Sequence, residues 1–474
     1  MSFVLQFLPE LVRLAGALAL FVVSLGASRQ GLARAVALGV AFAAIAAAVV
    51  TLDQRALLFS GAYRVDAFSQ LLKLVFTGGL AAVLLLGGDL PDIRGEVKAE
   101  YYLFLVLSVT GLVMLVSCIE VIALVVALEL SSFPLYLLVP MRREREGQRS
   151  QMESAIKYIM FGVAANGIML FGLGYLYGLT GSTHLPDMLA ALAPVARAPL
   201  AVAGLGLTFC GLYYKLAVFP FHFWSPDVYQ GASNETAGLI ASLPKVGAIA
   251  VLGRFAILAT PDNATVAGIL TLLAMASMFY GNLVALVQVD FKRLLGFSAI
   301  AHAGYALMGF VALDGPGFAA ALYYIIGYAV MILACFVVVC RVSRDGANVA
   351  IAELAGLHRR SPLLALTLLV GLFALAGVPP FVGFMAKFSL LTAALARGHL
   401  ALVLVAVVNS AIAIYYYLQV IRRAVFGEAG PAAAEEPIAL TWPTRLLCVA
   451  LVAGIVVLGV FPGPVIDAIS GSLS

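Results

Sequence analysis

The chain carries little charge for its size. Asp, Glu, Lys and Arg make up 11% of its 474 residues, and 63% of the residues are hydrophobic. Soluble domains contain about 25% charged residues, so too little polar surface is available to cover a globule of this length. The net charge is only +4, without an acidic or basic tail. This balance argues against a nucleic-acid-binding protein, which needs a concentrated basic face.

Cysteines are few and isolated, and several catalytic motifs are missing. The five cysteines form no CxxC pair, so the sequence signals neither an iron–sulfur cluster nor a zinc site. We find no glycine-rich phosphate loop, no paired catalytic carboxylates and no nucleophile motif. The start of the chain also lacks the basic region of a signal peptide. Its first charges, Glu10 and Arg13, lie inside an apolar run, which we interpret as a retained first helix.

Long apolar runs dominate what is present. A helix needs about 20 apolar residues to cross the hydrocarbon core of a bilayer. The sequence therefore predicts an all-α, polytopic membrane protein of about fourteen transmembrane helices. The predicted spans are 3–26, 32–52, 66–87, 100–118, 120–140, 153–179, 198–222, 236–259, 264–287, 293–313, 317–341, 362–395, 399–422 and 445–468.

Basic residues fall unevenly between alternate loops. One set of loops holds Arg29, Arg34, Arg94, Lys98, Arg142, Arg143, Arg145, Arg149, Lys292, Arg293, Arg341, Arg344, Arg359, Arg360, Arg422, Arg423 and Arg445. The other set holds Arg55, Arg64, Arg197 and Arg397. Cytoplasmic loops carry the excess of Lys and Arg, so the first set is expected to be cytoplasmic. An even number of helices then places both termini outside.

Two spans contain similar proline breaks. Val218-Phe-Pro220-Phe221 matches Val378-Pro379-Pro380-Phe381 at an offset of 160 residues, in predicted helices 7 and 12. An odd helix offset gives the two copies opposite directions, as in inverted-repeat transporters, whose interrupted helices form the ion site. Proline frees backbone carbonyls that need water or polar side chains, so such breaks surround a cavity. Two ordinary kinks are the alternative.

Lysines stand inside apolar runs, whereas the arginines lie mostly in loops. A charge at the bilayer centre costs about 2.5–3.5 kcal/mol, so each such lysine must be paired, hydrated or neutral. Lysine changes its protonation readily when buried and arginine does not, which favours proton transfer. For Lys157 and Lys245, early in their helices, a snorkelling side chain is the alternative. The four interior lysines that we identify are Lys157, Lys215, Lys245 and Lys387.

Glu129, in the middle of predicted helix 5, is the only acidic residue that we find deep within a span. Facing Lys215, it would form an intramembrane ion pair. Because intramembrane ionisable residues are usually functional, we interpret this pair as a protonation switch; a pair that only fixes helix packing is the alternative.

Two histidines lie within spans. Histidine titrates near neutrality and can pass a proton on. With Tyr323, Tyr324 and Tyr328 of helix 11, His302 could connect the cavities around the two broken helices. His222 is a secondary candidate. For His302, a histidine that only packs in the interior is the alternative.

Several motifs resemble those of one family, the antiporter-like membrane subunits of respiratory complex I and the related large subunits of multisubunit Na⁺/H⁺ antiporters. The likeness covers nearly the whole chain. It is carried by Leu128-Glu129-Leu-Ser-Ser-Phe-Pro-Leu-Tyr, Glu153-Ser-Ala-Ile-Lys157-Tyr, Tyr214-Lys215-Leu-Ala-Val-Phe-Pro-Phe-His-Phe-Trp-Ser-Pro-Asp227-Val-Tyr, Ser242-Leu-Pro-Lys245-Val-Gly and Lys292-Arg-Leu-Leu-Gly-Phe-Ser-Ala-Ile-Ala-His302.

This resemblance implies an organisation in four parts. Helices 1–3 occupy residues 1–99, a first five-helix repeat (helices 4–8) residues 100–259, a second, inverted repeat (helices 9–13) residues 260–424, and helix 14 residues 425–474. It also implies an axis of buried charges parallel to the membrane.

The resemblance further assigns roles to individual residues. Glu129 matches the family's helix-5 glutamate, Lys215 the helix-7 lysine that pairs with it, Lys245 the helix-8 lysine and Lys387 the helix-12 group. Lysine at 387 argues against the M-type subunit, and the end of the chain after helix 14 argues against the L-type, which leaves the N-type. When the broken helices are aligned on proline, however, Lys215 and Lys387 do not superimpose.

The activity implied by the resemblance is proton translocation within a complex I-type NADH:quinone oxidoreductase of the bacterial inner membrane. The chain itself would hold no cofactor; FMN, iron–sulfur clusters and quinone would belong to partner subunits. Those partners would be the M- and L-type subunits, small membrane subunits and, through them, the peripheral redox arm. A Na⁺/H⁺ antiporter subunit is the alternative, disfavoured because sodium prefers several oxygen ligands. A purely structural membrane anchor is a third possibility.

Overall fold

The computed structural model describes residues 3–26, 30–143, 150–256, 264–427 and 437–473. Three of the basic residues used to predict the orientation, Arg29, Arg145 and Arg149, lie outside these ranges.

The described chain is built almost entirely of helices. In chain order they are α1 Phe3–Gln6, α2 Leu8–Ser24, α3 Gln30–Val50, α4 Ala67–Gly87, α5 Lys98–Leu115, α6 Val121–Leu138, α7 Ser150–Thr180, α8 Leu185–Leu192, α9 Pro199–Leu216, α10 Trp224–Gly231, α11 Asn234–Ala256, α12 Ala264–Ala285, α13 Phe291–Val311, α14 Gly315–Val342, α15 Leu357–Arg360, α16 Pro362–Ala376, α17 Val382–Ala396, α18 Leu400–Phe426, α19 Trp442–Val460 and α20 Gly463–Leu473.

Twelve of the helical segments in the described ranges are long and apolar enough to cross a membrane. The prediction of an all-α, polytopic membrane protein is therefore confirmed. Of the shorter helices, α16 and α17 are apolar and have 15 residues each, and α2 has 17 residues and carries Glu10 and Arg13. The count of fourteen spans stays a prediction.

Two small elements between the helices were not predicted. Strands β1 (Ala56–Leu58) and β2 (Tyr63–Val65) pair antiparallel, with Leu57 opposite Arg64. Helix α8 buries Leu185, Met188 and Leu192, a three- and four-residue spacing that places them on one helical face. Both elements lie in connections between long helices.

The backbone leaves helical conformation beside the two proline motifs. Helix α9 ends at Leu216 and is followed by Ala217 at φ 64°, whereas α16 ends at Ala376 and is followed by Gly377 at φ 89°. The Phe219–Pro220 and Pro379–Pro380 peptide bonds are cis. The predicted span 198–222 stops before α10, because the sequence marks the proline but does not show that a second helical segment starts at Trp224.

Helices α5 and α6 touch at a glycine, and so do α12 and α13. A Cβ added to Gly111 would lie 2.3 Å from the amide nitrogen of Ser131, and one added to Gly281 would lie 2.5 Å from that of Ala301. Each residue of the second pair follows its counterpart by 170 positions. Close backbone approach of this kind is typical of membrane helix pairs.

Helices α11 and α13 form the centre of the molecule. Their apolar windows are 100% buried inside the chain, as expected for helices that are apolar on all sides. Lys245 lies on α11 and His302 on α13, so both are enclosed by protein rather than lipid.

Candidate functional site

The site begins on α6, where Glu129 is half-buried. Asn166 of α7 donates a hydrogen bond to its carboxylate. Lys215 of α9 donates to the hydroxyl of Ser132 at 2.5 Å, and Ser132 lies one turn after Glu129 on α6. Among the described residues, no direct ion pair joins Glu129 to Lys215. The structure therefore places Lys215 beside the turn of α6 that carries Glu129. The direct partner of Lys215 is the hydroxyl of Ser132.

Lys245 binds the end of the first interrupted helix. Its ammonium group donates to the backbone oxygen of Leu216 at 2.7 Å and reaches that of Ala299 at 3.5 Å. Leu216 is the last residue of α9, where helix carbonyls lack internal partners and carry the negative end of the helix dipole. A cation supplied by α11 is favourable at this position, and Lys245 is only 1% exposed.

Lys387 occupies the corresponding place at the second interruption. It donates to the backbone oxygens of Leu375 at 3.2 Å and Ala376 at 3.0 Å, the last carbonyls of α16. Gly377 suits this contact for two reasons. Its positive φ disfavours other residues, and an added Cβ would lie 3.0 Å from the Lys387 side chain.

The two interruptions therefore share a lysine contact that the sequence alignment did not reveal. In each, an ammonium group caps the carbonyl end of the first half-helix. Lys387 corresponds in this role to Lys245, which comes from a neighbouring helix, and not to Lys215. This explains why Lys215 and Lys387 do not superimpose when the prolines are aligned.

His302 lies between the two lysines in a cluster of tyrosines. Its Nδ1 is 2.6 Å from the hydroxyl of Tyr324, and its Nε2 is 3.2 Å from that of Tyr417. The Tyr417 hydroxyl also lies 2.6 Å from Ser298 Oγ. Both imidazole nitrogens thus contact groups that can donate and accept hydrogen bonds, as a proton relay requires.

Aromatic rings connect His302 to each lysine. Tyr328 lies 4.9 Å from the imidazole, and Lys245 Nζ is 6.0 Å from the centre of the Tyr328 ring. On the other side, Tyr305 lies 6.2 Å from the imidazole, and Lys387 Nζ is 4.7 Å from the Tyr305 ring. These side chains therefore form a row of neighbours, in the order Lys245, Tyr328, His302, Tyr305 and Lys387.

Three predicted candidates lie outside this row: Tyr323, His222 and Lys157. Tyr323 donates to the backbone oxygen of Leu458 at 2.5 Å, toward α19. His222 is 1% exposed and packs on the rings of Phe219 and Tyr280. Within the described chain, neither of its ring nitrogens has a hydrogen-bond partner.

Lys157 lies at the start of α7, with 37% of its side chain exposed. Its ammonium group is 2.7 Å from both Glu153 and Asp227. Arg293 also binds Asp227, at 2.6 Å. Burial alone would raise the pKa of Asp227, but the hydrogen bonds from Lys157 and Arg293 hold it below its ordinary value. This carboxylate joins α10 to α7 and α13.

Sequence reasoning missed a second buried cluster. Lys73 is 2.8 Å from Glu10, and both side chains are 0% exposed. Tyr63 donates to the same Glu10 oxygen at 2.7 Å. The prediction that Glu129 is the only deep acidic residue is therefore wrong, and so is the set of four interior lysines. Both residues fall inside predicted spans, and that signal could have found them.

Lys292 was expected in a loop and is instead buried in the first turn of α13. Its ammonium group donates to the backbone oxygen of Ala232 at 2.8 Å. Ser298, Tyr305 and Tyr417 were also not predicted as site residues, because the sequence does not show which side chains face His302.

No group of three or more His, Cys, Asp or Glu side chains in the described ranges could hold a metal ion. What the site offers is a series of amine, imidazole, hydroxyl and carboxylate groups. Such groups take up, hold and pass on protons.

Comparison with known proteins places this arrangement in a family. A family model described as "NADH:quinone oxidoreductase/Mrp antiporter, TM" matches residues 118–413. A protein of Opitutus terrae named NADH-quinone oxidoreductase subunit N 2 is 67% identical over 473 residues, covering 100% of this chain and 98% of the relative. The chain belongs to the NADH-quinone oxidoreductase subunit N family.

Other members and solved structures agree with this membership. The NADH-quinone oxidoreductase subunit N 2 protein of Syntrophobacter fumaroxidans is 41% identical, and the match covers 98% of this chain and 97% of that relative. A chain of respiratory complex I from Thermus thermophilus with bound aureothin is 32% identical, with a TM-score of 0.83, over 98% of this chain and 100% of that one. A chain of the Mrp complex from Dietzia sp. DQ12-45-1b shares the fold, with a TM-score of 0.87 at 23% identity over 100% of this chain and 97% of that one.

Proposed function

We propose that this member of the subunit N family translocates protons across the membrane as part of an NADH:quinone oxidoreductase. The observation that carries the proposal is the row from Lys245 through His302 to Lys387, which joins the carbonyl ends of two interrupted helices inside the protein. Redox chemistry would take place in partner subunits, because the groups of this row supply proton transfer and no electron carrier.

The proposed switch is the contact between Glu129, Ser132 and Lys215. A buried ammonium group is stabilised by a nearby carboxylate and destabilised when that carboxylate moves away. Movement of α6 against α9 would therefore change the proton affinity of Lys215. The released proton would pass by Lys245 and His302 to Lys387 and leave on the outer side.

We also propose the division into two inverted five-helix repeats, at residues 100–259 and 260–424, with 1–99 before them and 425–474 after them. The paired interruptions, the paired lysine contacts and the glycine contacts at Gly111 and Gly281 support it. The site then lies where the repeats meet, as in other inverted-repeat transporters.

A neighbouring membrane subunit is expected on the outer face of α6. Ile122, Val126 and Phe133 are 64%, 62% and 57% exposed on this face, and Glu129 lies on the same stripe. A half-exposed carboxylate in an otherwise apolar stripe needs a polar partner rather than lipid. We propose that the partners are the M- and L-type subunits, small membrane subunits and, through them, a peripheral arm carrying FMN, iron–sulfur clusters and quinone.

The proposed location is a bacterial inner membrane, with both termini on the periplasmic side. The uneven distribution of Lys and Arg between alternate loops supports this orientation. The chain is in any case an integral membrane protein.

Substitution of Lys215 tests the function in the assembled complex. Lys215→Ala should lower the number of protons pumped per electron in membrane vesicles, or slow turnover if pumping and electron transfer are strictly coupled. Lys98→Ala is the matched control, because Lys98 lies outside the proton row and its exposed ammonium group donates to the backbone oxygen of Asp89. Unchanged pumping together with unchanged turnover in Lys215→Ala would contradict the proposal.

A Na⁺/H⁺ antiporter subunit is the second candidate, favoured by the shared fold with a chain of the Mrp complex. Isolation of the chain from its native membrane in mild detergent separates the two. Iron–sulfur absorbance and donor-to-quinone electron transfer in the isolate support the oxidoreductase. Membrane partners without redox centres would support the antiporter instead.

A further inference from the structure

Tyr305 lies on α13 one turn after His302, so the two side chains share a helix face. It is 3% exposed, and its ring centre lies 6.2 Å from the imidazole of His302 and 4.7 Å from Lys387 Nζ. A cation within about 6 Å of an aromatic face is attracted by the negative charge of that face, and more strongly where water is excluded. The Tyr305 ring is therefore a partner of the Lys387 ammonium group, in addition to the helix carbonyls.

The hydroxyl group of Tyr305 bonds α18 rather than the proton row. It donates to the backbone oxygen of Ala406 at 2.9 Å and lies 2.9 Å from Ser410 Oγ, and both residues belong to α18. A phenol has one hydrogen to donate, and here the Ala406 oxygen accepts it. The hydroxyl group thus anchors the ring to α18, while the ring face is turned to Lys387.

Lys387 has a donor available for this aromatic contact. An ammonium group carries three N–H donors, and its two hydrogen-bond acceptors are the backbone oxygens of Leu375 and Ala376. One N–H group is left for the aromatic face. Lys387 is only 6% exposed, so the ring takes the place that water occupies at a surface lysine.

This contact distinguishes Lys387 from Lys245, which also caps a half-helix. Lys245 Nζ lies 6.0 Å from the centre of the Tyr328 ring, at the limit of an effective cation–π contact. Lys245 therefore depends on its bond to the Leu216 carbonyl. The second lysine of the row has a close aromatic partner as well, and the first does not.

We propose that Tyr305 is a positioning residue of the proton row: its ring, anchored to α18 through the hydroxyl group, holds the protonated amine of Lys387 against the end of α16. This inference rests on the proposed function, in which Lys387 is the last station of the row. It also gives α18 a part in the site, because a shift of α18 moves the ring relative to Lys387. The hydroxyl group does not pass the proton, since Ala406 and Ser410 occupy it.

Two substitutions at this position separate the ring from the hydroxyl group. In the assembled complex, Tyr305→Phe should pump protons at nearly the normal rate, whereas Tyr305→Leu should pump severalfold more slowly, because only leucine removes the aromatic face. Tyr415→Leu is the control for loss of a tyrosine ring, because Tyr415 is 59% exposed. Normal pumping by Tyr305→Leu, or an equal loss in Tyr305→Phe and Tyr305→Leu, would overturn the proposal.

Fluorination of the ring gives a readout that a merely structural role would not produce. Fluorine atoms withdraw negative charge from an aromatic face and change its shape little, so they weaken a cation–π contact. Starting from Tyr305→Phe, incorporation of mono-, di- and trifluorinated phenylalanine should lower the pumping rate stepwise. The same series at Phe310 is the control, because Phe310 packs on Phe318 and lines an apolar cavity. A rate that does not change with fluorination at position 305 would contradict the contact.

The two proposals fail in different ways. If Lys215→Ala lowers pumping and neither Tyr305→Leu nor fluorination does, the role of the ring is wrong and the proposed function stands. If Lys215→Ala and the Tyr305 variants all pump and turn over normally, the proposed function itself is wrong.

Discussion

Lys215, Lys245 and Lys387 each donate to an acceptor that carries no full charge, namely the Ser132 hydroxyl or backbone oxygens at helix ends. A full counter-charge in direct contact would stabilise the ammonium form more strongly. A carbonyl stabilises it less, so the amine can release its proton at modest cost. Lysine suits such a site and arginine does not, so proton exchange explains why these three positions carry lysine.

Lys245→Arg separates charge from proton exchange. Arginine keeps a cation near the Leu216 carbonyl but does not deprotonate in proteins. We expect the proton-transfer step through this chain to slow by about 10²-fold or more, the usual effect of losing an acid–base group. Proton pumping by the assembled complex in vesicles measures it, with Lys98→Arg as control. Normal pumping by Lys245→Arg would mean that Lys245 only stabilises the helix end.

Asp227 stabilises the structure through Lys157 and Arg293. Asp227→Asn should lower the free energy of unfolding by about 1–2 kcal/mol, reduced from the value for a fully buried charge because all three side chains are partly exposed. The thermal midpoint of the detergent-solubilised protein measures the effect, and Asp53→Asn, at an exposed turn, is the control. An unchanged midpoint would mean that the two cations contribute nothing here.

The same substitution has a definite pH dependence. The pKa of Asp227 is lowered in the folded protein from its ordinary value of 3.8, so the carboxylate is stabilising above that value. Its contribution disappears as the pH falls through the lowered folded pKa. The difference between the unsubstituted protein and Asp227→Asn should therefore be constant from about pH 8 to pH 5. A difference that already fades near neutral pH would contradict this assignment.

At the scale of elements, the pairs α5–α6 and α12–α13 depend on backbone contact at glycine. Gly281→Ala would place a Cβ 2.5 Å from the amide of Ala301 and 2.7 Å from the carbonyl oxygen of Phe297. Neither group can move without shifting its helix, so we expect a loss of about 1–3 kcal/mol of stability. The thermal midpoint and the yield of assembled complex measure it.

Gly268→Ala is the matched control on the same helix, because no atom lies within 4 Å of its added Cβ. Alanine there should be neutral or slightly stabilising, since it favours helix more than glycine does. Equal effects of the two substitutions would show that the α12–α13 contact is not tight at Gly281.

The helical membrane architecture was predictable from the sequence, because the length and apolarity of a run decide whether it can span a bilayer. The lysine contacts were less predictable from the sequence. The sequence shows which helix carries Lys245, but only packing decides that it faces the last carbonyl of α9. Likewise, Tyr415, Tyr416 and Tyr417 look alike in sequence. Successive residues point about 100° apart on a helix, so one is exposed, one lines a cavity and one reaches His302.

The buried pair of Glu10 and Lys73 was missed for a similar reason. Each residue alone in an apolar run resembles a residue near a helix end, where long charged side chains reach water. Two distant helices have to come together before their charges compensate. Breaking such a pair costs several kcal/mol, so α2 and α4 are fixed to each other by it, outside the proton row.

At the scale of the whole molecule, the question is whether the two halves act on one proton path or on two. Glu129 and Lys215 lie before the row that runs from Lys245 to Lys387. If all of them serve one path, loss of any station blocks the same flow. Glu129→Gln, Lys387→Met and the double variant should then reduce pumping to the same level, because residues that act as a unit are not additive.

Two independent paths lead to a different result. Each single variant would then remove one share of the flow, and the double variant would lose the sum of both. Proton pumping per electron, measured in parallel for the three variants and normalised to assembled complex, distinguishes these cases. An additive loss would disprove a single row through both repeats, and it would leave each repeat with its own switch, one at Lys215 and one at Lys387.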